Sequence, residues 1–567
     1  MIRAYIRRLR QESNAIVSRA MLGVTASRGT IESIVDAHGL VAAQGGRRAM
    51  LGTVARYVAR ARGRFRRWVE GRESGAELAK GLLEGAERLD DGRIWHGDQP
   101  FRSYVDVSVQ VKLVRIAIEF LVQRDRTSLI DPLQVAELLT EAQRDSRVAL
   151  LVQAQLLLEA GQADAAIETS RHALRVQAVC ITAQQTLFRA YELAREQGST
   201  APELEVLDYD LSDKFCPMPF THFSTGFRGT TFACTCPAWV PFSIGNITEV
   251  DSADAIWNSD VAQEIRRSIH DGDFSYCSRT QCSFITARKL PRKAEVTTPE
   301  LRAFIDGRVT RLEERPIMVE LNHDPTCNLA CPSCRTELVV AKAEEIDAYA
   351  AATEKVILPL LRGVKGQTYI TGGGEAFASK HFRSILRRLN RQEFPGLEVL
   401  LISNGQLMTP ARWSEFPELP EMTSIVTISV DAARAATYEV LRRPGKWAPL
   451  MKNLAHLAEM RRTGRIRKLG LNFVVQKANF REMAEFVTLA ESFAVDIVWF
   501  QRVVNYGAYD EATFADLDVS AHNHPDHAEL LEILRSPALN QPFIQKNMLL
   551  ALLPEAVASE ERLDFLY

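Results

Sequence analysis

Apolar residues in the second half of the chain fall into six short runs: Pro316–Leu321, Thr368–Thr371, Glu398–Ile402, Ile425–Val430, Leu469–Val475 and Asp496–Phe500. Each is too short for a helix and rich in Val, Ile, Leu, Thr or aromatics, the pattern of a strand buried on both faces. Helically spaced sequence separates them, so the pattern predicts six β/α units and a parallel sheet covered by helices. Upstream, residues 74–205 repeat apolar positions at helical spacing, and the tail 511–567 does the same. The charged run 291–315, with Pro291 and Pro299, reads as a connector into the sheet.

Candidate chemistry sits just after the first strand. In Asp324-Pro-Thr-Cys327-Asn-Leu-Ala-Cys331-Pro-Ser-Cys334, spacings of three and two let one loop converge three thiolates on a soft-metal centre. Three protein ligands leave a coordination position open, as reactive sites do and closed structural sites do not. A zinc knuckle borrowing His323 is the competing reading, since CxxC pairs also mark zinc. Ligands of parallel sheets gather at the carboxyl ends of strands, where this loop lies.

The loop resembles the CxxxCxxC motif of the radical S-adenosylmethionine (SAM) enzymes. The resemblance implies a partial (β/α)6 barrel over 316–510 and a [4Fe–4S] cluster on Cys327, Cys331 and Cys334 whose open iron chelates SAM. Thr371-Gly-Gly-Gly-Glu-Ala-Phe after the second strand is similar to the family's GGE motif. It implies that Gly373, Gly374 and Glu375 meet the SAM amino group, glycines letting the backbone approach a ligand. Ser403-Asn-Gly ends the third strand, as in many relatives. Ser429 and Asp431 end the fourth on one face, where the family contacts the SAM ribose; helix capping is the alternative for both. The residue before the third cysteine, usually aromatic in the family, is Ser333.

Five of the nine cysteines cluster upstream, at 216, 234, 236, 277 and 282. Residues 208–290, with Gly229 five positions before Cys234 and the segments Ile244-Gly-Asn-Ile and Ile256-Trp-Asn-Ser, resemble a SPASM or twitch auxiliary-cluster domain. Such domains normally follow the barrel, whereas here the segment precedes it. The resemblance implies a second [4Fe–4S] cluster on Cys216, Cys234, Cys277 and Cys282, four thiolates per cubane. A zinc ribbon would also use four cysteines. Cys236 is then left over: a ligand exchanging with Cys234, a small buried residue, or a hydrogen-atom donor of the kind radical SAM epimerases use. Cys180, in an apolar helical run, reads as core.

At 567 residues, 46% apolar and 25% charged, the chain has the composition of a multidomain globular protein. No apolar run reaches membrane-spanning length, no signal peptide is expected, and iron–sulfur chemistry points to a reducing cytoplasm rather than a disulfide framework. Charge is uneven: residues 1–72 hold 15 Arg against 4 acidic residues, +11, leaving −13 for the rest of a chain of net −2. This basic helical segment, 1–73, reads as a solvated face packing on the acidic remainder, or as a contact for an anionic lipid surface or an acidic peptide. No nucleic-acid module is recognisable. In 74–205, Ala160-Gly161, Ala166, Ala173 and Tyr191 resemble tetratricopeptide positions, which implies an all-α region that holds partners. At His522-Asn-His-Pro-Asp-His527 a helix start is favoured over a metal site.

These expectations amount to a radical SAM oxidoreductase or isomerase with two [4Fe–4S] clusters. It would act on a peptide or protein by oxidation, cross-linking or epimerisation, and be reduced by a flavodoxin- or ferredoxin-type donor. A small-molecule substrate such as a carbohydrate is the runner-up, and a zinc-stabilised scaffold is the non-enzymatic alternative.

Overall fold

The computed structural model describes residues 74–87, 132–143, 146–176, 180–201, 207–240, 242–505 and 508–546, with single positions and short stretches elsewhere. Most of the basic segment 1–73 lies outside the described residues. The chain divides into two compact units, 1–209 with 278–281, and 210–277 with 282–567. Among the described residues no helix is long and apolar enough to cross a membrane.

In the first unit, helices Gly75–Glu87, Pro132–Ala142, Arg147–Glu159, Ala163–Val176 and Ile181–Glu196 share one apolar core. Ser146 caps the third by accepting from the Ala149 amide. Gly161, at φ +74, takes the left-handed turn into the fourth, a conformation that glycine adopts without a Cβ penalty. Ala166 and Ala173 are fully buried, and Arg171 donates to the Tyr191 hydroxyl at 3.0 Å. The expectation of an all-α region meets one departure: strands β1 (Leu40–Ala42) and β2 (Ile94–His96) pair antiparallel. Cys180 is buried as expected, at the N-cap of the last helix rather than inside one.

The second unit is built on a ten-stranded sheet. The six expected strands are all present: β6 (Met318–Leu321), β7 (Gln367–Ile370), β8 (Glu398–Ser403), β9 (Thr423–Ser429), β10 (Lys468–Val475) and β11 (Ile497–Arg502). They run parallel in sequence order with helical segments between them, the repeated β/α arrangement. One face carries Val319, Leu321, Ile370, Leu401, Val426, Phe473 and Phe500, all essentially without exposure. The register places Glu320, Tyr369, Thr427, Ser429, Asn472 and Trp499 on the other face together with Leu400, Ile402, Ile425 and Ile497, so one side is a packed core and the other mixes polar, aromatic and aliphatic side chains.

The sheet does not begin at β6. Strand β3 (His222–Thr225), from the cysteine-rich upstream segment, pairs parallel with β6, His222 opposite Met318 and Thr225 opposite Leu321. β4 (Thr230–Phe232) and β5 (Gly245–Asn246) continue outward antiparallel, and β12 (Ile544–Gln545) closes the far edge beside β11. Arg266, fully buried in helix Asp260–Asp271, fastens this upstream segment. Its guanidinium donates to the carbonyls of Pro219, Trp257 and Thr310 and to Asn258 Oδ1, and stacks 4.4 Å from the Trp257 ring. The expected connector 291–315 contains a helix, Pro299–Gly307, that buries Leu301 and Phe304.

Candidate functional site

The loop that follows β6 is held at its base before it reaches the cysteines. Asp324 accepts from the Thr326 amide at 2.8 Å and the Ser379 hydroxyl at 2.5 Å. Thr326 Oγ1 accepts from the Ala341 amide, and the Cys327 amide donates to the Val339 carbonyl, which closes the loop on itself. The Cys334 and Arg335 amides both donate to the Cys331 carbonyl, a turn that brings the second and third thiols to one side. Cys331 is buried, Cys327 half-buried and Cys334 exposed.

His323 takes no part in that thiol group. Thr225 donates to the Glu320 carbonyl, so its hydroxyl oxygen accepts from His323 Nδ1 at 3.0 Å. His323 Nε2 then accepts from His381 Nε2 at 2.8 Å, and desolvation holds both imidazoles neutral, His381 at about 4. Both ring nitrogens of His323 are spent on joining β3, β6 and helix Lys380–Leu386. This is why the zinc-knuckle ligand considered from the sequence is not available.

The glycine run after β7 packs against the cysteine loop. A Cβ on Gly374 would lie 2.4 Å from the Asp324 carbonyl oxygen and 2.9 Å from that of Thr326, so only glycine fits. Gly373 is exposed and its carbonyl accepts from Arg335 Nη2 at 2.8 Å. Glu375, whose carboxylate is expected to meet the SAM amino group, is engaged by the protein's own donors. It has no exposure, and its carboxylate accepts from the Ser403 hydroxyl and from the amides of Asn404 and Phe377. Burial raises its pKa against these donors. Glu375 therefore locks the end of β8 to the glycine loop. Asn404 next to it donates to Asn328 at 2.9 Å and lies 3.8 Å from Cys327 Sγ.

Asp431 is also engaged within the protein. In the left-handed region at φ +61, it pairs with Arg442 at 2.5 Å and accepts from the Val474 amide at 2.8 Å. Arg442, through Nη1, reaches Cys331 Sγ at 3.9 Å. Asp431 thus faces a cation and a backbone amide. Ser429 lies on the mixed face of the sheet, opposite Asn472 on β10. Asn472 Oδ1 is buried without a hydrogen-bond partner among the described residues. Sequence reading passed over it, along with Arg335 and Arg442.

The second thiol group lies beside β3. Cys216, Cys234, Cys277 and Cys282 line one small cavity with Met218, Trp239, Phe274 and Phe284. Cys236 is not among the lining residues; its carbonyl accepts from the Trp239 amide in a turn. Burial pushes the Cys216 thiol up to about 12 and Cys236 to about 11, and raises Cys234 and Cys282. Such thiols keep their protons until a metal displaces them. All nine cysteines are among the described residues and none forms a disulfide. By chemistry, four soft donors lining one small cavity and three on one loop are the donor types that iron–sulfur clusters take, although among the described residues no three of them are gathered closely enough to hold an ion.

Thr235, between Cys234 and Cys236, donates to Glu320 at 2.5 Å. Glu320 of β6 is on the mixed face of the sheet, and burial lifts its pKa to about 7. Ser224 of β3 donates to the Cys234 carbonyl at 2.7 Å, so the upstream cysteines are tied to the strand that pairs with β6. At the far end, the His524 and His527 rings engage the backbone carbonyls of Asp516 and Val519 around the start of helix His527–Arg535.

Among curated proteins none matches this sequence. Solved structures similar to it include Streptococcus suis SuiB bound to S-adenosylmethionine (15% identity, 46% of this chain and 56% of that one, TM-score 0.29). SuiB bound to its precursor peptide SuiA (14%, 54% and 68%, 0.31) and histidine-tagged anSMEcpe with bound AdoMet (16%, 33% and 50%, 0.26) are also similar. The chain spans about half the length of SuiB and anSMEcpe in their SAM-bound structures. Residues 216–283 match the model of the SPASM iron–sulfur cluster-binding domain. Residues 321–490 match that of the radical SAM superfamily, so this chain carries a radical SAM domain preceded by a SPASM domain.

Proposed function

We propose that this protein is a radical SAM enzyme that abstracts a hydrogen atom from a peptide or protein substrate. One observation carries the reading. The two thiol groups belong to one sheet, Cys327, Cys331 and Cys334 following β6 and the upstream cysteines joined to its partner β3. In this reading Cys327, Cys331 and Cys334 hold the SAM cluster, and Cys216, Cys234, Cys277 and Cys282 hold an auxiliary one. When bound, the cluster and SAM supply a reductively generated 5′-deoxyadenosyl radical.

The chain's own residues do the rest. Gly373 and Gly374 bring backbone close to the ligand, Ser429 and Asn472 offer polar atoms on the inner face, and Glu375 and Asp431 hold the loops in place. Glu320, Tyr369 and Trp499 give that face the mixed polar and aromatic character that suits an amino-acid side chain better than a purely apolar ligand. Cys236, which is not among the residues lining the four-cysteine cavity, would return a hydrogen atom if the reaction is an epimerisation. A flavodoxin- or ferredoxin-type donor in a reducing cytoplasm would supply the electron.

The test is iron and sulfide content of anaerobically prepared protein, with formation of 5′-deoxyadenosine from SAM under dithionite. Two cubanes predict about eight irons, falling to about four when Cys327, Cys331 and Cys334 are replaced together by alanine. Iron-free protein that forms no 5′-deoxyadenosine after reconstitution would remove the proposal.

A further inference from the structure

Arg335 follows the third cysteine of the loop directly, and nothing in the motif asks for it. Its Nε and Nη2 both lie 3.4 Å from Cys334 Sγ, while Nη1 donates to the Pro325 carbonyl and Nη2 to the Gly373 carbonyl, each at 2.8 Å. The planar fork is therefore fixed on three sides, by the start of the cysteine loop, by the glycine loop, and by the sulfur. The other two thiols lack a comparable donor. Cys327 Sγ receives the Leu329 amide at 3.4 Å and lies 3.8 Å from Asn404, both neutral groups. Arg442 reaches Cys331 only at 3.9 Å, with its charge offset by Asp431 at 2.5 Å. No carboxylate pairs with Arg335 among the described residues, so its charge is directed at the exposed third thiol.

We propose that Arg335 is a positioning residue that tunes the SAM cluster, holding the Cys334 thiolate and making the cluster easier to reduce. The inference rests on the assignment of Cys334 as a cluster ligand. Hydrogen bonds and positive charge at a ligand sulfur favour the state with one more electron, and so raise the reduction potential. Removing them shifts the one-electron equilibrium with an external low-potential reductant back toward the oxidised cluster. Nothing in this effect requires Arg335 to touch SAM or substrate.

The experiment compares the full-length holoprotein with Arg335→Gln and Arg335→Lys by iron analysis and EPR-monitored redox titration with dithionite. The SAM cluster's signal is identified as the one that changes when SAM is added. R335Q with wild-type iron should titrate at lower potential, its reduced fraction at a fixed potential falling about tenfold, ~59 mV for one electron. R335K keeps the charge without the fork and should lie between the two. If R335Q loses iron, R335K decides: a potential below wild type supports the proposal and an unchanged one overturns it. An iron-replete R335Q with unchanged potential overturns it too, as does loss of iron from both variants, which would leave Arg335 as a structural staple. Wild-type protein without a SAM-responsive signal would instead remove the cluster assignment itself, a distinct result.

Discussion

Two cysteines separated by one residue have different surroundings, and that difference is measurable. Cys234 lines the four-cysteine cavity and Cys236 does not. Cys234→Ala should cost about four irons, while Cys236→Ala keeps all of them and loses only epimerised product; equal iron loss in both would reverse the assignment. Glu320 makes a second prediction. Its pKa rises from 4.5 to about 7 through burial, so the folded state holds a proton that the unfolded state releases within that window. Stability must therefore fall as pH rises from 4.5 through 7. Glu320→Gln should remove this slope, gaining about 2–3 kcal/mol over wild type near pH 8 and little near pH 4. Denaturant unfolding at both pH values checks it, and a gain equal at both would contradict it. The cysteines were legible because their spacing is local. Arg442, 111 positions from Cys331, and Asn472, defined by a bond it lacks, were not, since their roles exist only once the strands are side by side.

Among elements, the glycine loop after β7 is packed closely against the cysteine loop. Gly374→Ala would press a methyl onto two carbonyl oxygens of the cysteine loop, a contact neither backbone can yield without moving Cys327. It should destabilise the fold by about 1–3 kcal/mol and weaken SAM binding; thermal unfolding and SAM titration read the two effects, and wild-type values in both would show that the loop is slack. The six parallel strands were readable as short runs rich in Val, Ile and Leu set between helical stretches, although burial alternates along β7, β8 and β11 and only one face is fully covered. β3 was missed for the opposite reason. Its four residues, His222-Phe-Ser-Thr, are all buried, yet three are polar. Two of the three are satisfied by partners outside the strand: the Thr225 hydroxyl binds the Glu320 carbonyl and His323, and the Ser224 hydroxyl binds the Cys234 carbonyl. A pattern of hydrophobicity carries no record of such partners.

For the molecule as a whole, the upstream cysteine-rich segment is not an appendage to the sheet, because β3, β4 and β5 are its edge. A fragment beginning at residue 291 would present β6 with its hydrogen-bonding groups open along one side. Such a fragment should aggregate or self-associate, and a monomer with native near-ultraviolet circular dichroism would refute that. The same β3–β6 pairing sets a timetable for biosynthesis. All the upstream cysteines leave the ribosome before β6 exists, and 95 residues separate Thr225 from Glu320. At roughly 5–20 residues per second, β3 waits on the order of 5–20 s for its partner. On the proposed assignment of an auxiliary cluster, iron delivery to the first thiol group runs against the clock of translation, with the strand that supports it still unpaired over that interval.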